Sequence, residues 1–304
     1  MSRNLATLIG FAAILLWASM VGLLKQVSAV LEPDLGITLV YTLASILLLI
    51  IFRIPNLKLI SKTYLIGGAS LFVIYELFFS FAIAYAQTDQ QAIEVSIVNY
   101  LWPSLTVLAF IIFKEMQFNF FVIIGLLLSI SGIIFIQAGN GSLNLNSILA
   151  NFQSNPLSYI LAFVGAILWS LYCVLTKKLG GGQNPIALFF VLATLVLWTK
   201  LLLHPVAFSI SSIQISTLIY AVIAALAVGL GYASWNIGIT QGNITMLVVL
   251  SYFTPIISSV FAMLILNTDL PITFWQGTAM VTGGSLICWL STNWYSLIKL
   301  LKRA

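Results

Sequence analysis

The chain has 304 residues, of which 61% are hydrophobic and 6% charged, with a mean hydropathy of +1.12. So few charges cannot cover a globular surface, which excludes a soluble domain and predicts an integral membrane protein. The formal charge of +5 comes from basic residues scattered between apolar runs rather than gathered in a patch, so no nucleic-acid footprint is present.

In chain order, apolar runs between polar breaks predict ten transmembrane helices, each near the ~20 residues that a bilayer crossing needs. They cover 5–25, 35–53, 63–87, 91–113, 119–137, 156–178, 185–203, 216–241, 244–266 and 272–293. The first run follows Ser2-Arg3-Asn4 without a small-x-small cleavage site and is read as a retained span, with Trp17 near its middle. Span three carries Tyr75 and a polar stripe of Glu76, Ser80 and Gln87 at i, i+4 and i+11. Span four places Gln91, Glu94, Asn99, Trp102 and Thr106 within one arc, and Pro103 near its centre. A proline there removes a donor and displaces the carbonyl of Asn99, so the helix must kink or break. In hydrocarbon such a break is tolerated only against protein or at the wall of a polar cavity.

Span five brings Gly125, Ser129 and Gly132, small residues that permit close helix approach. The following stretch, 138–155, is Asn/Ser/Gly-rich with an apolar turn at Ile148 and Leu149, and reads as a linker between halves. Span six has a stripe of Gly165, Trp169, Tyr172 and Thr176, and Tyr232, Trp235 and Asn236 share a face of span eight. Span nine repeats the device of span four, with Ser251, Thr254 and Ser258 in one arc and Pro255 in the middle. Span ten carries Gly277, Gly283 and Gly284. These glycines serve internal or intermolecular contacts equally well, so they carry no reading of oligomeric state.

Sliding the chain on itself by 152 residues, half its length, matches Trp17 with Trp169, Lys25 with Lys177, Pro33 with Pro185 and Tyr100 with Tyr252. The same offset matches Pro103 with Pro255, Gly125 with Gly277 and Gly132 with Gly284. Five spans per half is an odd number, so the second copy enters the membrane from the opposite side. The expected fold is therefore all-α, two inverted five-helix repeats over 1–145 and 146–304. Paired inverted halves with interrupted helices are the mark of a secondary transporter with a midplane site. Placing the amino terminus inside puts Arg3, Arg53, Lys58, Lys62, Lys114, Lys177, Lys178, Lys299, Lys302 and Arg303 on the cytoplasmic side. Only Lys25 and Lys200 are left outside, which orients both termini to the cytoplasm.

Trp and Tyr ordinarily collect at the membrane interface, yet several lie in mid-span here. We expect Tyr75, Glu76, Asn99, Trp102, Trp169, Tyr172, Trp235, Asn236 and Ser251 to bind substrate, with Pro103 and Pro255 as hinges. Ring walls suit a flat apolar group, at about 0.5–1.5 kcal/mol per ring pair, or a cation over a ring face. Packing alone accounts equally well for any single ring, and it is the preferred reading for Tyr100 and Tyr252, which point away from the polar arcs. Glu76 lies near the midplane, where a carboxylate meets a substrate ammonium, carries a proton, or stays neutral and hydrogen-bonded between helices. Glu94 lies nearer the outer face, where solvation accounts for it; Glu32, Asp34, Asp89 and Asp269 read as loop residues, and Lys25 and Lys200 as snorkelling. Carbonyls freed at Asn99 and Ser251 are acceptors suited to an ammonium group, with amide donors nearby for a carboxylate. A zwitterion bearing an apolar ring fits all of these.

Other chemistries lack their residues. Cys173 and Cys288 both fall inside spans and His204 is the single histidine, so no disulfide, metal site, cofactor or intramembrane catalytic pair is predicted. No basic residue falls in the centre of any span, against a phosphorylated metabolite. A multidrug or organic-cation exporter is the alternative, compatible with Glu76 and the rings.

Five segments carry a resemblance: Val73-Ile74-Tyr75-Glu76, Gln91-Ala92-Ile93-Glu94-Val95, the run from Asn99 to Thr106, Tyr232-Ala233-Ser234-Trp235-Asn236, and Ser251-Tyr252-Phe253-Thr254-Pro255. They resemble EamA-type members of the drug/metabolite transporter superfamily that export aromatic amino acids. The resemblance implies ten helices, cytoplasmic termini, a central cavity, and export of phenylalanine, tyrosine and tryptophan across a bacterial inner membrane, possible companions being other amino acids and drug-like cations.

Overall fold

The computed structural model describes residues 1–52, 56–137, 145–180, 185–206 and 214–301. Arg53, Lys302, Arg303 and the linker stretch 138–144 lie outside these, as does the side chain of Lys299. All regular structure among the described residues is helical: α1 Arg3–Leu31, α2 Pro33–Ile51, α3 Ala69–Ala84, α4 Asp89–Asn99, α5 Trp102–Ile112, α6 Phe120–Gln137, α7 Leu145–Ser154, α8 Pro156–Leu179, α9 Ile186–Leu203, α10 Ile215–Gln241, α11 Ile244–Ser251, α12 Thr254–Leu266 and α13 Ile272–Leu301. A wider turn, Tyr64–Gly68, runs directly into α3. Eight of these helical stretches, counting Asp89–Ile112 as one, are long and apolar enough to cross a membrane. Apolar side chains such as Leu127, Leu195, Ile219 and Leu264 face outward. The chain is a multi-pass membrane protein.

Helix starts follow local chemistry. Ser2, Thr88, Asn155 and Asn243 each accept a hydrogen bond from a first-turn amide, and Pro33 and Pro156 occupy first-turn positions where no amide partner is needed. The linker departs from its expected form: Leu145–Ser154 is a helix rather than a loop with one apolar turn, and Asn151 ties it to α4 and α6.

The most extensive packing joins helices far apart in sequence. α8 packs on α3, α4 and α5, whereas α1 packs on α10, α11 and α12. α1 therefore sits among helices from late in the chain, and α8 among helices from early in it. Two further pairs, α2 with α9 and α6 with α13, bridge these four-helix groups at the sides. The α6–α13 crossing is set by glycine. A Cβ on Gly125 would stand 2.5 Å from the Gly284 oxygen and 2.6 Å from Cys288 Sγ, and one on Gly132 would stand 2.5 Å from the Gly277 oxygen. Gly283 does not share this role, its nearest neighbour being Leu128 at 3.9 Å from such a Cβ.

Five charged residues depart from their sequence reading. Asp34 and Asp89 belong to the first turns of α2 and α4 rather than to loops. Lys200 pairs with Asp34 and lies 4.4 Å over the Phe81 ring, joining α9 to α2 and α3. Lys25 is buried and donates to the Ala86 carbonyl instead of snorkelling to water. Glu94 is buried too; its carboxylate accepts from Gln90 (2.8 Å), Asn151 (3.2 Å) and Tyr159 (3.3 Å), so protein rather than solvent satisfies it.

Candidate functional site

Both proline segments break in the same way. Between α4 and α5 lie Tyr100 and Leu101, and between α11 and α12 lie Tyr252 and Phe253. At each break the amides reach back three residues instead of four: Leu101 to Val98 (3.2 Å), Tyr252 to Val249 (3.2 Å) and Phe253 to Leu250 (3.0 Å). Pro103 and Pro255 then sit in the first turn of the following helix, where their missing N–H costs least. The freed polar groups are partly consumed locally. The Ser251 carbonyl accepts from Thr254 Oγ1 at 2.6 Å, and the Trp102 carbonyl accepts from Thr106 Oγ1 (2.6 Å) and Ser170 Oγ (3.1 Å). The Ser251 carbonyl therefore already has a donor, against its reading as an open acceptor.

The two breaks face one cavity of about 290 Å³. Its walls come from both four-helix groups: Tyr75 and Glu76 of α3, Asn99 of α4, Trp102 of α5 and Trp169 of α8 on one side, and Trp17 of α1, Tyr232 and Trp235 of α10 and Ser251 of α11 on the other. Thr254, Tyr100 and Tyr252 complete the wall at the breaks, and Cys173 lies beside Trp169. Among the described residues, none from the bridging helices contributes.

Trp169 is the hub of one wall, with Tyr75 at 4.7 Å, Tyr172 at 5.2 Å and Trp102 edge-on at 6.1 Å. Its counterpart at the 152-residue offset, Trp17, is the hub of the other, with Tyr232 at 5.2 Å and Trp235 at 5.4 Å. The Trp17 indole nitrogen packs over Gly231, where a Cβ would come within 2.6 Å of it. Asn99 is 1% exposed, and its amide donates to the Ala162 carbonyl (3.0 Å), pinning α4 to α8.

Glu76 is the cavity's carboxylate. It is 3% exposed, and phenols cover both oxygens: Tyr41 on Oε2 at 2.5 Å and Tyr232 on Oε1 at 2.6 Å. The Tyr41 hydroxyl also lies 2.8 Å from Ser80 Oγ. Fully buried Phe190 stacks on Tyr41 and meets Tyr232 edge-on, which fixes both phenols.

Of the expected binding residues, Tyr75, Glu76, Asn99, Trp102, Trp169, Trp235 and Ser251 line this space. Tyr172 stands behind Trp169, against Phe72 and Phe189, and Asn236 does not reach the wall. Tyr100 and Tyr252, expected only to pack, do reach it. Tyr41 escaped the sequence reading, although Asp34, Thr38, Tyr41 and Ser45 recur at helical spacing along α2.

The sequence pattern of the EamA-like transporter family matches twice, over residues 4–138 and 156–290. The chain belongs to that family. Among the curated relatives of this EamA-like protein, the aromatic amino acid exporter YddG of Escherichia coli is 44% identical over 96% of this chain and 99% of its own. YddG of Salmonella typhimurium is 43% identical over the same shares, and YddG of Ancylobacter novellus is 26% identical over 85% of this chain and 88% of its own. One solved crystal structure superposes with a TM-score of 0.66 at 23% identity, covering 96% of this chain and 100% of its own, a likeness of fold. The EamA-like chain is thus a transporter and not an enzyme.

Proposed function

We propose that the chain exports aromatic amino acids, phenylalanine, tyrosine and tryptophan, from the cytoplasm across a bacterial inner membrane by alternating access. The carrying observation is a ring-walled cavity whose lining, among the described residues, holds a single carboxylate, Glu76, and no lysine, arginine or histidine. Such a wall accommodates an aromatic side chain, the carboxylate faces its ammonium group, and Tyr75, Trp102 and Trp235, each a donor-bearing ring in the wall, are the candidate partners of its carboxylate. The names of relatives covering nearly the whole chain agree with this reading.

We also propose ten transmembrane helices in two inverted repeats, 1–145 and 146–304, with both termini cytoplasmic. The two family matches begin and end 152 residues apart, and α11 with α12 and α13 supply spans nine and ten. The close glycine contacts support the symmetry: Gly125 meets Gly284 and Gly132 meets Gly277, a set that the 152-residue offset maps onto itself. The moving units are the packed groups, α3, α4, α5 and α8 against α1, α10, α11 and α12, rather than the sequence halves. Cys173 reports on this motion, because it lines the cavity while Cys288 is fully buried. Pro103→Ala restores an amide toward the Asn99 carbonyl and straightens the break; the expected result is a changed rate of Cys173 labelling by an impermeant maleimide. An unchanged rate removes the hinge role.

The deciding experiment measures flux of phenylalanine, tryptophan, a neutral aliphatic amino acid and an organic cation in proteoliposomes, with and without a pH gradient. Saturable aromatic flux is expected, whereas saturable cation flux without amino acid flux would install the organic-cation exporter instead.

A further inference from the structure

We infer that the Glu76–Tyr232 hydrogen bond is a latch between the two moving groups, opened when the ammonium group of the substrate takes Oε1. This inference rests on the proposed export of aromatic amino acids and adds how binding there is coupled to motion. Glu76 belongs to α3 in one group, and Tyr232 to α10 in the other, so their 2.6 Å bond runs from one side of the cavity to the other. Both residues line the cavity, so a substrate seated among the rings reaches this bond directly.

The two phenols differ in what they do. Tyr41 is fully buried, lies outside the cavity wall and shares its hydroxyl with Ser80, so its bond to Oε2 holds the carboxylate in a fixed rotamer whether or not substrate is present. Tyr232 is the partner that can be exchanged. Without substrate, its O–H satisfies Oε1, and no bare carboxylate oxygen is left in the membrane interior. An arriving ammonium group is a stronger partner for an anionic oxygen than a neutral phenol is, and it displaces Tyr232 at no loss of satisfaction for Glu76. The displaced phenol keeps its ring contacts with Phe190, Phe72 and Trp17, so the exchange needs only a small tilt. Once that cross-cavity bond is gone, α10 loses its hydrogen bond to α3 at this level and keeps the softer ring contact of Tyr232 with Phe72. Binding and release of the groups become the same event, and the empty carrier is discouraged from rocking.

The sign of one substitution separates a latch from an ordinary contact. In purified Tyr232→Phe, substrate no longer displaces a hydrogen bond, and phenylalanine should bind about three- to tenfold more tightly than to wild type. Tyr41→Phe loses the fixed rotamer and should bind more weakly. Weaker or unchanged binding by Tyr232→Phe would overturn the latch, since Tyr232 would then be a direct partner of substrate or a bystander. A second measurement uses the wild type alone: phenethylamine, which keeps the ammonium group, should compete with radiolabelled phenylalanine at least tenfold better than 3-phenylpropanoate, which lacks it. Equal competition overturns the latch while leaving aromatic export standing. Absence of phenylalanine binding by wild type overturns both.

Discussion

Gly125→Val should be the most damaging single change to the folded bundle, lowering stability by about 3 kcal/mol. The physical reason is the nature of the obstacle. A new Cβ would meet the Gly284 carbonyl oxygen at 2.5 Å and Cys288 Sγ at 2.6 Å, and the first of these is backbone on a facing helix that cannot rotate away. α6 and α13 must separate along their length, and lipid gives no hydrophobic drive to hold the loosened pair together. The neighbour of its contact supplies the control. Gly283→Ala adds a methyl whose nearest neighbour is 3.9 Å away, so it should stay within about 0.5 kcal/mol of wild type. Reversible denaturant unfolding in detergent checks both; equal effects of the two variants would show that small residues at this crossing are incidental.

Proline and glycine were the most legible parts of the sequence, because each acts through its own backbone. Pro103 and Pro255 end helices whatever surrounds them, and the breaks occur where their spacing predicts. Ring positions were legible for a related reason: Trp17 and Trp169 lie far from where interfacial tryptophans belong, and each is the hub of a cavity wall. What failed were inferences about partners. The depth of Glu94 in its span says nothing of Asn151 and Tyr159, each more than 50 residues away, which cover it. Tyr41 is illegible in the sequence because its partner is a carboxylate on another helix. Tyr252 faces the cavity although its helical phase points elsewhere, since the break at Tyr252 and Phe253 resets the phase that a 100° count assumes. That α1 packs among α10, α11 and α12, and α8 among α3, α4 and α5, is likewise illegible, because hydropathy marks spans and says nothing of which spans touch.

Glu76→Gln should leave the fold intact and weaken phenylalanine binding about 10- to 150-fold, the equivalent of the 1.5–3 kcal/mol carried by a hydrogen bond to a charged group. The structure explains why the two effects separate. An amide fills the same volume, and its oxygen accepts from one phenol while its nitrogen donates to the other, so Tyr41 and Tyr232 both keep partners at the positions they hold at 2.5 and 2.6 Å. No polar group is orphaned in a site that is 3% exposed, and melting in detergent should move little. The lost quantity is charge, and only a cationic group of the substrate registers it. Phenylalanine and an organic cation should therefore both suffer, whereas binding of 3-phenylpropanoate should be unchanged or improved. Glu76→Ala is a different experiment, since it takes the acceptor from Tyr232, leaves Tyr41 only its Ser80 and backbone partners and empties buried side-chain volume, and its loss of transport would be inseparable from damage to the bundle. If Glu76→Gln bound phenylalanine as wild type does, Glu76 would be a structural brace between α2, α3 and α10, and the ammonium group would have to find its partner elsewhere along the wall.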